Sequence, residues 1–326
     1  MNIVYASNDN YARHLGVSLC SLLHRNRQAE EITVYVLSIG LGEENRRKLA
    51  KIGEKYGRDV FFVDIANLRE RLGYRVDTGR FDISTLGRLF LGSLLPETVS
   101  RILYLDCDTV VLGDLEPFWN TDLGGNLAAA VMEPTIYPQV KRFIGLEEEA
   151  PYFNAGVLLL DLARWRQEKL EQQMMDFYRE HGGRLYYNDQ DVVNGVLKGR
   201  ICPVSPRYNF FTNYRYFHYG NLVSMMPCYG KAVEKQEFRQ AKRKPVVLHY
   251  MGDERPWKRG NLNHYRKAYE KYLECTPWKG TRKEKGKEIY MLAYHLMDYL
   301  TFLCPPVRRG LSRYYMAKQE KRMKQA

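Results

Sequence analysis

Short apolar runs alternate along this chain with stretches whose apolar residues recur at helical spacing. Residues 3–6 read as a strand that ends in the polar turn Ser7-Asn8-Asp9-Asn10, after which Leu15, Leu19 and Leu22 mark one face of a helix. A second strand is expected over 32–39, a helix over 43–55 and a third strand over 60–63. Ser84 is placed to cap a helix holding Leu86, Leu89, Phe90 and Leu94, which Pro96 ends. Further strands are expected at 102–105, 127–132, 156–160 and 245–250, and one long amphipathic helix over 162–181. Strands alternating with helices predict an α/β fold with a mostly parallel sheet.

Such sheets bind ligands beyond the carboxyl ends of their strands. Asn8, Asp9, Asn10, Asp106, Asp108 and His249 all follow apolar runs at such ends. The most demanding stretch is "RILYLDCDTVV", where Asp106, Cys107 and Asp108 interrupt an apolar run. Buried carboxylates need a partner or a cation. Acids at i and i+2 of a strand end can face one way and grip one hard ion. Carboxylates suit Mg²⁺ or Mn²⁺, and an added imidazole from His249 tilts the choice toward Mn²⁺. Alone, the pair says little. A second Asp-x-Asp stands at 189 and 191, and chance supplies on the order of one. Asp189 also sits where it could simply cap a helix. Asn154, Ala155 and Gly156 precede an apolar run, where small residues admit close backbone approach and Asn reads hydroxyls. Taken alone, that stretch reads as a turn before a strand. In "HYMGDERPWKRG", Gly252, Arg255 and Lys258 could clamp a diphosphate. Neither GxxxxGK[ST] nor an early GxGxxG occurs, which excludes a P-loop and weakens a dehydrogenase reading.

Charge changes the picture at one end. The formal net charge is +12, but residues 279–326 carry 12 Lys and Arg against 4 Asp and Glu, so the preceding chain is nearly balanced. With no zinc-finger or RNP signature, nucleic acid is not an expected partner. The tail holds an apolar segment, "IYMLAYHLMDYLTFLC", with Ile289, Leu292, Leu296, Leu300 and Leu303 near one helical face and Lys285, Lys287, Arg308 and Arg309 flanking it. Such a helix lies on an anionic membrane surface better than it spans one; the alternative is a terminal helix docked on the body. Residues 276–326 are therefore expected to form a basic, amphipathic membrane-association segment, separate from a domain over 1–275. Six scattered cysteines without a CxxC fit a reducing compartment. The N-terminus shows no signal-peptide pattern. The Tyr-, Phe- and Asn-rich stretch 205–229 is expected either to line a binding cleft or to join the core.

Taken together, "NIVYASNDNYA", "STLGRL", "ILYLDCDTVV", "FWNTDLGGN", "YFNAGVLLLDL", "DQDVVNG", "RYNF" with "TNY", and "HYMGDERPW" resemble glycosyltransferase family 8, in particular its bacterial lipopolysaccharide galactosyl- and glucosyltransferases. The resemblance spans roughly residues 1–275. It implies a GT-A fold, a UDP-sugar donor, bound Mn²⁺, a glycan or lipid-linked acceptor and retention of anomeric configuration. By position, it implies that Asp106, Asp108 and His249 ligate the metal. Ala6, Asn8 and Asn10, with Cys107 nearby, resemble the uracil and ribose pocket. Arg88, Asn154, Ala155, Gly156, Asp189 and Gln190 resemble the sugar site, and Gly252 and Arg255 the diphosphate clamp. Asp189 and the Gln190 amide oxygen would face the developing positive charge on the sugar. Three positions depart from the family pattern: Asn8 where many members have Asp, Arg255 where Lys is usual, and Arg80 where the galactosyltransferases tend to have His. A cytoplasmic enzyme, peripheral on the inner face of the cell membrane, is expected. The alternatives are a nucleotide-sugar-binding protein without turnover and a self-glycosylating, glycogenin-like protein.

Overall fold

A computed structural model describes residues 1–326 apart from 66, 80, 81, 254, 308, 309, 312, 313, 315, 316, 319, 320 and 322–326. Arg80, Arg308 and Arg309 thus lie outside the described residues. Ten strands are described: β1 (Asn2–Asn8), β2 (Thr33–Ile39), β3 (Val60–Asp64), β4 (Arg101–Leu105), β5 (Thr109–Val111), β6 (Ala128–Met132), β7 (Phe153–Asp161), β8 (Ile201–Pro203), β9 (Phe210–Phe211) and β10 (Val247–His249). Seven form one sheet in the order β3-β2-β1-β4-β7-β6-β8, and β5-β10-β9 form a second. In the large sheet β3, β2, β1 and β4 run parallel, β6 and β8 run parallel to each other, and β7 lies antiparallel between β4 and β6. The expected α/β class with a mostly parallel sheet and flanking helices is what the chain adopts.

This topology builds one crowded edge. The carboxyl ends of β1, β4 and β6 point the same way, and because β7 is reversed, its beginning arrives there too. Asn154, Ala155 and Gly156 are inside β7 and not in a turn before it. Their neighbours are buried on both faces, as in Val157, Leu158, Leu159 and Leu160, so the strand has no alternation to mark its start.

Other expected boundaries shift for local reasons. The helix after Ser84 is a 3₁₀ segment, Ile83–Phe90, followed by one α turn, Leu91–Leu94. Its cap is Asp82, whose side chain accepts from the Ser84 backbone N–H. The long helix expected over 162–181 is broken into Leu162–Gln167 and Leu170–Glu180, because Lys169 adopts a left-handed conformation with φ of 52°.

The first helix (Ala12–Arg25) is apolar enough to bury almost whole, yet it carries Ser18 and Ser21. Both hydroxyls serve the strand beside the crowded edge. Ser18 Oγ lies 2.8 Å from Thr109 Oγ1, which in turn donates to the Asp106 carbonyl at 2.8 Å. Ser21 Oγ accepts from the Val111 N–H at 2.8 Å. Buried polar groups in this helix are thus satisfied by pinning β5.

The C-terminal helix (Glu288–Leu303) docks on the body. Tyr299 meets Tyr216 edge-on at 5.4 Å, and Phe302 stacks on His218 at 4.7 Å. No helix among the described residues is long and apolar enough to cross a membrane.

The helix Asp189–Val196 opens the wall opposite β4. Asp191, on its first turn, is wholly buried and accepts from Tyr152 Oη at 2.5 Å and from the Tyr187 N–H at 2.7 Å. Burial pushes its carboxyl up to about 7. Below the carboxyl's unfolded pKa of about 4 the neutral form costs the fold nothing, and the advantage is lost as pH rises through about 7. Between pH 5 and 8, urea-unfolding stability of the wild type is therefore expected to fall more steeply than that of Asp191→Asn, with circular dichroism as the readout. Parallel curves would exclude a neutral buried Asp191.

Candidate active site

The metal-ligating candidates meet as expected, by a route the sequence did not show. Asp106, Cys107 and Asp108 form the short link between β4 of the large sheet and β5 of the small one. The acids are not mid-strand. β5 pairs antiparallel with β10, with Thr109 opposite His249, so the residue preceding Thr109 stands beside the imidazole. His249 Nε2 lies 3.2 Å from Asp108 Oδ1 and 3.8 Å from Asp106 Oδ2. One ligand atom from each of the three residues lies within 4.8 Å of the other two.

The donor set fits a divalent ion. His249 Nδ1 is engaged by Asn209 Oδ1 at 2.9 Å, which leaves Nε2 to face the acids. Gly156 leaves room for the cluster: a Cβ there would run into His249 Cε1 and come within 2.7 Å of Asp106 Oδ2. Burial disfavours charge on His249, but Asp108 and Asp106 outweigh it and raise the imidazole above its ordinary pKa. Burial likewise opposes charge on Asp108, and His249 and Arg255 more than offset it, so this carboxyl titrates below its ordinary value. The pocket floor calls for positive charge.

Arg88 supplies some of it. Only 3% exposed, it reaches Asp106 Oδ1 with Nη2 at 2.7 Å and Asp189 Oδ2 with Nε at 2.9 Å. It also donates to the Ala155 carbonyl and lies 4.4 Å over the Tyr104 ring. Asp189 is therefore no helix cap; Asn188 holds that position. Burial raises Asp189 to about 6 against the pull of Arg88.

Gln190 and Asn154 form the next layer. Gln190 Oε1 accepts from Asn154 Nδ2 at 3.0 Å and from the Ala155 N–H at 3.1 Å, while its Nε2 donates to Glu133 Oε2 at 3.1 Å. Asn154 Nδ2 also reaches Glu133 Oε2, at 2.9 Å, and Asn154 Oδ1 accepts from Asn209 Nδ2 at 2.8 Å. Burial holds the Glu133 carboxyl above its usual range.

A cavity of about 770 Å³ opens over this floor. Ala6, Arg88, Asp106, Cys107, Asp108, Asn154, Gly156, Asp189, Gln190, His249, Gly252 and Arg255 all line it. Ala155 lies behind the lining, reached through its backbone. Asn8 and Asn10 do not line it; Asn8 Oδ1 instead accepts from the Tyr11 N–H at 3.1 Å, and Asn10 is exposed. In the aromatic stretch the two expectations divide: Tyr216 and Phe217 line the cavity, whereas Phe210, Phe211 and Tyr214 are core. Sequence reasoning missed Glu133, Asn209 and Tyr11. Glu133 carried a usable signal, since it ends the apolar run "LAAAVM" at the same sheet edge.

A family model described as glycosyl transferase family 8 matches residues 2–260. The chain belongs to that family. It is 29% identical to the lipopolysaccharide 1,2-glucosyltransferase of Escherichia coli K12, over 89% of this chain and 82% of that protein. It is 28% identical to general stress protein A of Bacillus subtilis, over 85% of this chain and 94% of that protein. Among solved structures, the galactosyltransferase LgtC in complex with donor and acceptor sugar analogs matches with a TM-score of 0.71 and 29% identity, covering 85% of this chain and 96% of LgtC. The family 8 assignment and the GT-A likeness make this protein a glycosyltransferase.

Two substitutions test the geometry of the floor. Asn209→Ala frees the His249 ring and is expected to weaken Mn²⁺ binding by about 10–100-fold. Gly156→Ala drives a methyl into the ligands and should weaken it at least as much. Isothermal titration with MnCl₂ reads both, and affinity unchanged in either variant would remove these side chains from a metal site.

Proposed function

We propose that this glycosyltransferase moves a hexose, galactose or glucose, from a UDP-sugar to a saccharide or lipid-linked glycan acceptor, with retention of configuration and dependence on Mn²⁺, with Mg²⁺ as the alternative ion. The observation that carries the reading is the Asp106, Asp108 and His249 cluster at the floor of a cavity whose wall bears Gly252 and Arg255. Asp106, Asp108 and His249 would hold the ion, which when bound supplies Lewis-acid neutralisation of the departing diphosphate. Arg255 adds a fixed positive charge; its guanidinium lies 5.9 Å from the ring centres of both Tyr11 and Trp257. Such preorganised charge is worth most where negative charge develops.

Asp189 and Gln190 are the catalytic candidates by position. Both are already committed: Asp189 Oδ2 to Arg88, and Gln190 Oε1 to Ala155 and Asn154. A side chain so held is poorly placed to leave its partners and form a covalent glycosyl adduct. It is well suited to present fixed negative potential to an oxocarbenium-like sugar. Same-face attack by the acceptor hydroxyl, with the leaving phosphate taking the proton, follows as the favoured route to retention.

We assign residues 1–275 to catalysis and 276–326 to peripheral association with the inner face of the cell membrane, where a lipid-linked acceptor would lie. Support comes from the C-terminal helix, whose apolar stripe faces outward: Ile289 is 86% exposed and Leu303 79%.

Incubation with a panel of UDP-sugars should show Mn²⁺-dependent donor hydrolysis, lost on chelation. His249→Ala should reduce it by at least about 10²-fold, the upper end of what even an outer-sphere partner costs. No hydrolysis of any donor would favour a binding protein without turnover, and a mass increase of the protein itself would favour self-glycosylation. Separately, the full chain should pellet with anionic vesicles in a salt-washable manner, and deletion of 280–326 should abolish this; unchanged pelleting would place membrane association elsewhere.

A further inference from the structure

The segment that follows the family match does more than dock. It grips the turn after β10 that carries Gly252 and Arg255. Tyr290 Oη donates to Asp253 Oδ2 at 2.8 Å, and Lys258 Nζ donates to Asp253 Oδ1 at 2.7 Å. Asp253 therefore joins the C-terminal helix to the phosphate-facing loop. Burial raises its carboxyl, and Lys258 and Tyr290 more than reverse this, so it stays ionised.

The backbone is tied as well. The Glu284 N–H donates to the Trp257 carbonyl and the Arg259 N–H to the Glu284 carbonyl, both at 2.8 Å, forming a parallel bridge between Lys258 and Glu284. The Glu284 side chain then pairs with Arg13 of the first helix at 3.0 Å. Gly260 sits so close to Glu288 that a Cβ would come within 3.2 Å of that residue's backbone. Lys287, Thr301 and Pro305 complete the cavity wall alongside Asp253, Arg255 and Lys258. The C-terminal segment is a wall of the site.

The same helix is turned inside out relative to an ordinary surface helix. Its inward residues include His295 and Asp298, 1% and 3% exposed, with His295 Nδ1 3.5 Å from Asp298 Oδ2. Its outward stripe is apolar, with Leu292, Leu296 and Leu300 at 62%, 59% and 46%. Val307 and Leu311 continue the exposed apolar surface. A soluble helix normally shows the reverse. Exposed apolar residues in a segment holding eight of the chain's twelve net positive charges fit an anionic bilayer as the covering surface.

We propose that the C-terminal helix couples the two: an anionic bilayer seated on the outward stripe steadies the helix, and through Tyr290 and Asp253 the helix steadies the phosphate loop, so that membrane contact tightens nucleotide binding. Tyr290 is a positioning residue here, acting on Arg255 and Gly252 through Asp253. The inference rests on the donor reading above, and the probes separate their failures.

UDP with Mn²⁺ is titrated into the full chain by calorimetry, without lipid, with neutral phosphatidylcholine vesicles, and with vesicles containing a quarter phosphatidylglycerol. Pelleting is measured in parallel. Only the anionic vesicles are expected to lower the UDP Kd, by about fivefold, the worth of one hydrogen bond made dependable. Tyr290→Phe should pellet normally, bind lipid-free UDP no more tightly than wild type, and show no response to vesicles. Leu292→Ser/Leu296→Ser, which touches neither loop nor cavity, should bind lipid-free UDP like wild type but lose pelleting and response together. Vesicles that pellet the protein without changing the Kd overturn the coupling alone. A wild-type response retained in Tyr290→Phe overturns its route. Failure to pellet, or self-association through the stripe instead, overturns the bilayer as occupant. No UDP binding under any condition overturns the donor reading and this inference with it.

Discussion

Two carboxylates and an imidazole must stand within reach of one another without an intervening core, and that requirement organises the molecule. Isolated buried acids are among the costliest groups a fold can carry. Here the cost is distributed over backbone geometry. The link 106–108 passes from the large sheet to the small one, β5 begins at once, and its pairing with β10 sets His249 opposite Thr109. Ser18, Ser21 and Thr109 hold that link from below. The first helix therefore owes two of its polar residues to the site rather than to its own stability.

Arg88 is the hinge between the acid cluster and the Asp189 wall of the cavity. It bridges Asp106 and Asp189 while almost fully buried. Buried ion pairs seldom add stability, because desolvation offsets attraction, but they define which groups face which. The bridge fixes Asp106 with Oδ1 occupied and Oδ2 turned to His249. Asn209 performs the same service on the other side, joining the ring of His249 to Asn154. Orientation of the acid–imidazole cluster is thus shared among residues from four separate strands and helices.

Much of this was legible in the sequence because a parallel sheet announces its ligand edge. Asp106, Asp108 and His249 all follow apolar runs, and the structure joins them. What escaped notice depends on contacts between distant segments. Asn209 sits in an irregular stretch with no periodicity to place it. Glu133 obeyed the strand-end rule and could have been found by it. Asp189 was ambiguous because a first-turn acid commonly caps its helix; the choice was made by Arg88, a hundred positions away. The break at Lys169 was hidden because nothing in "RQEKLEQ" forbids a helix, and the left-handed residue there is not glycine. The outward stripe of the C-terminal helix was readable as a pattern, but its docking through His218 and Tyr216 was not.

Thr301 and Pro305 line a cavity whose floor is laid by Asp106 and Asp108. On a ribosome, the sheet and its acids are made well before those wall residues. A chain that ended before them would leave the compartment open on one side. The cavity over the acids is thus walled on every side only once the helix Glu288–Leu303 and the residues after it have been made.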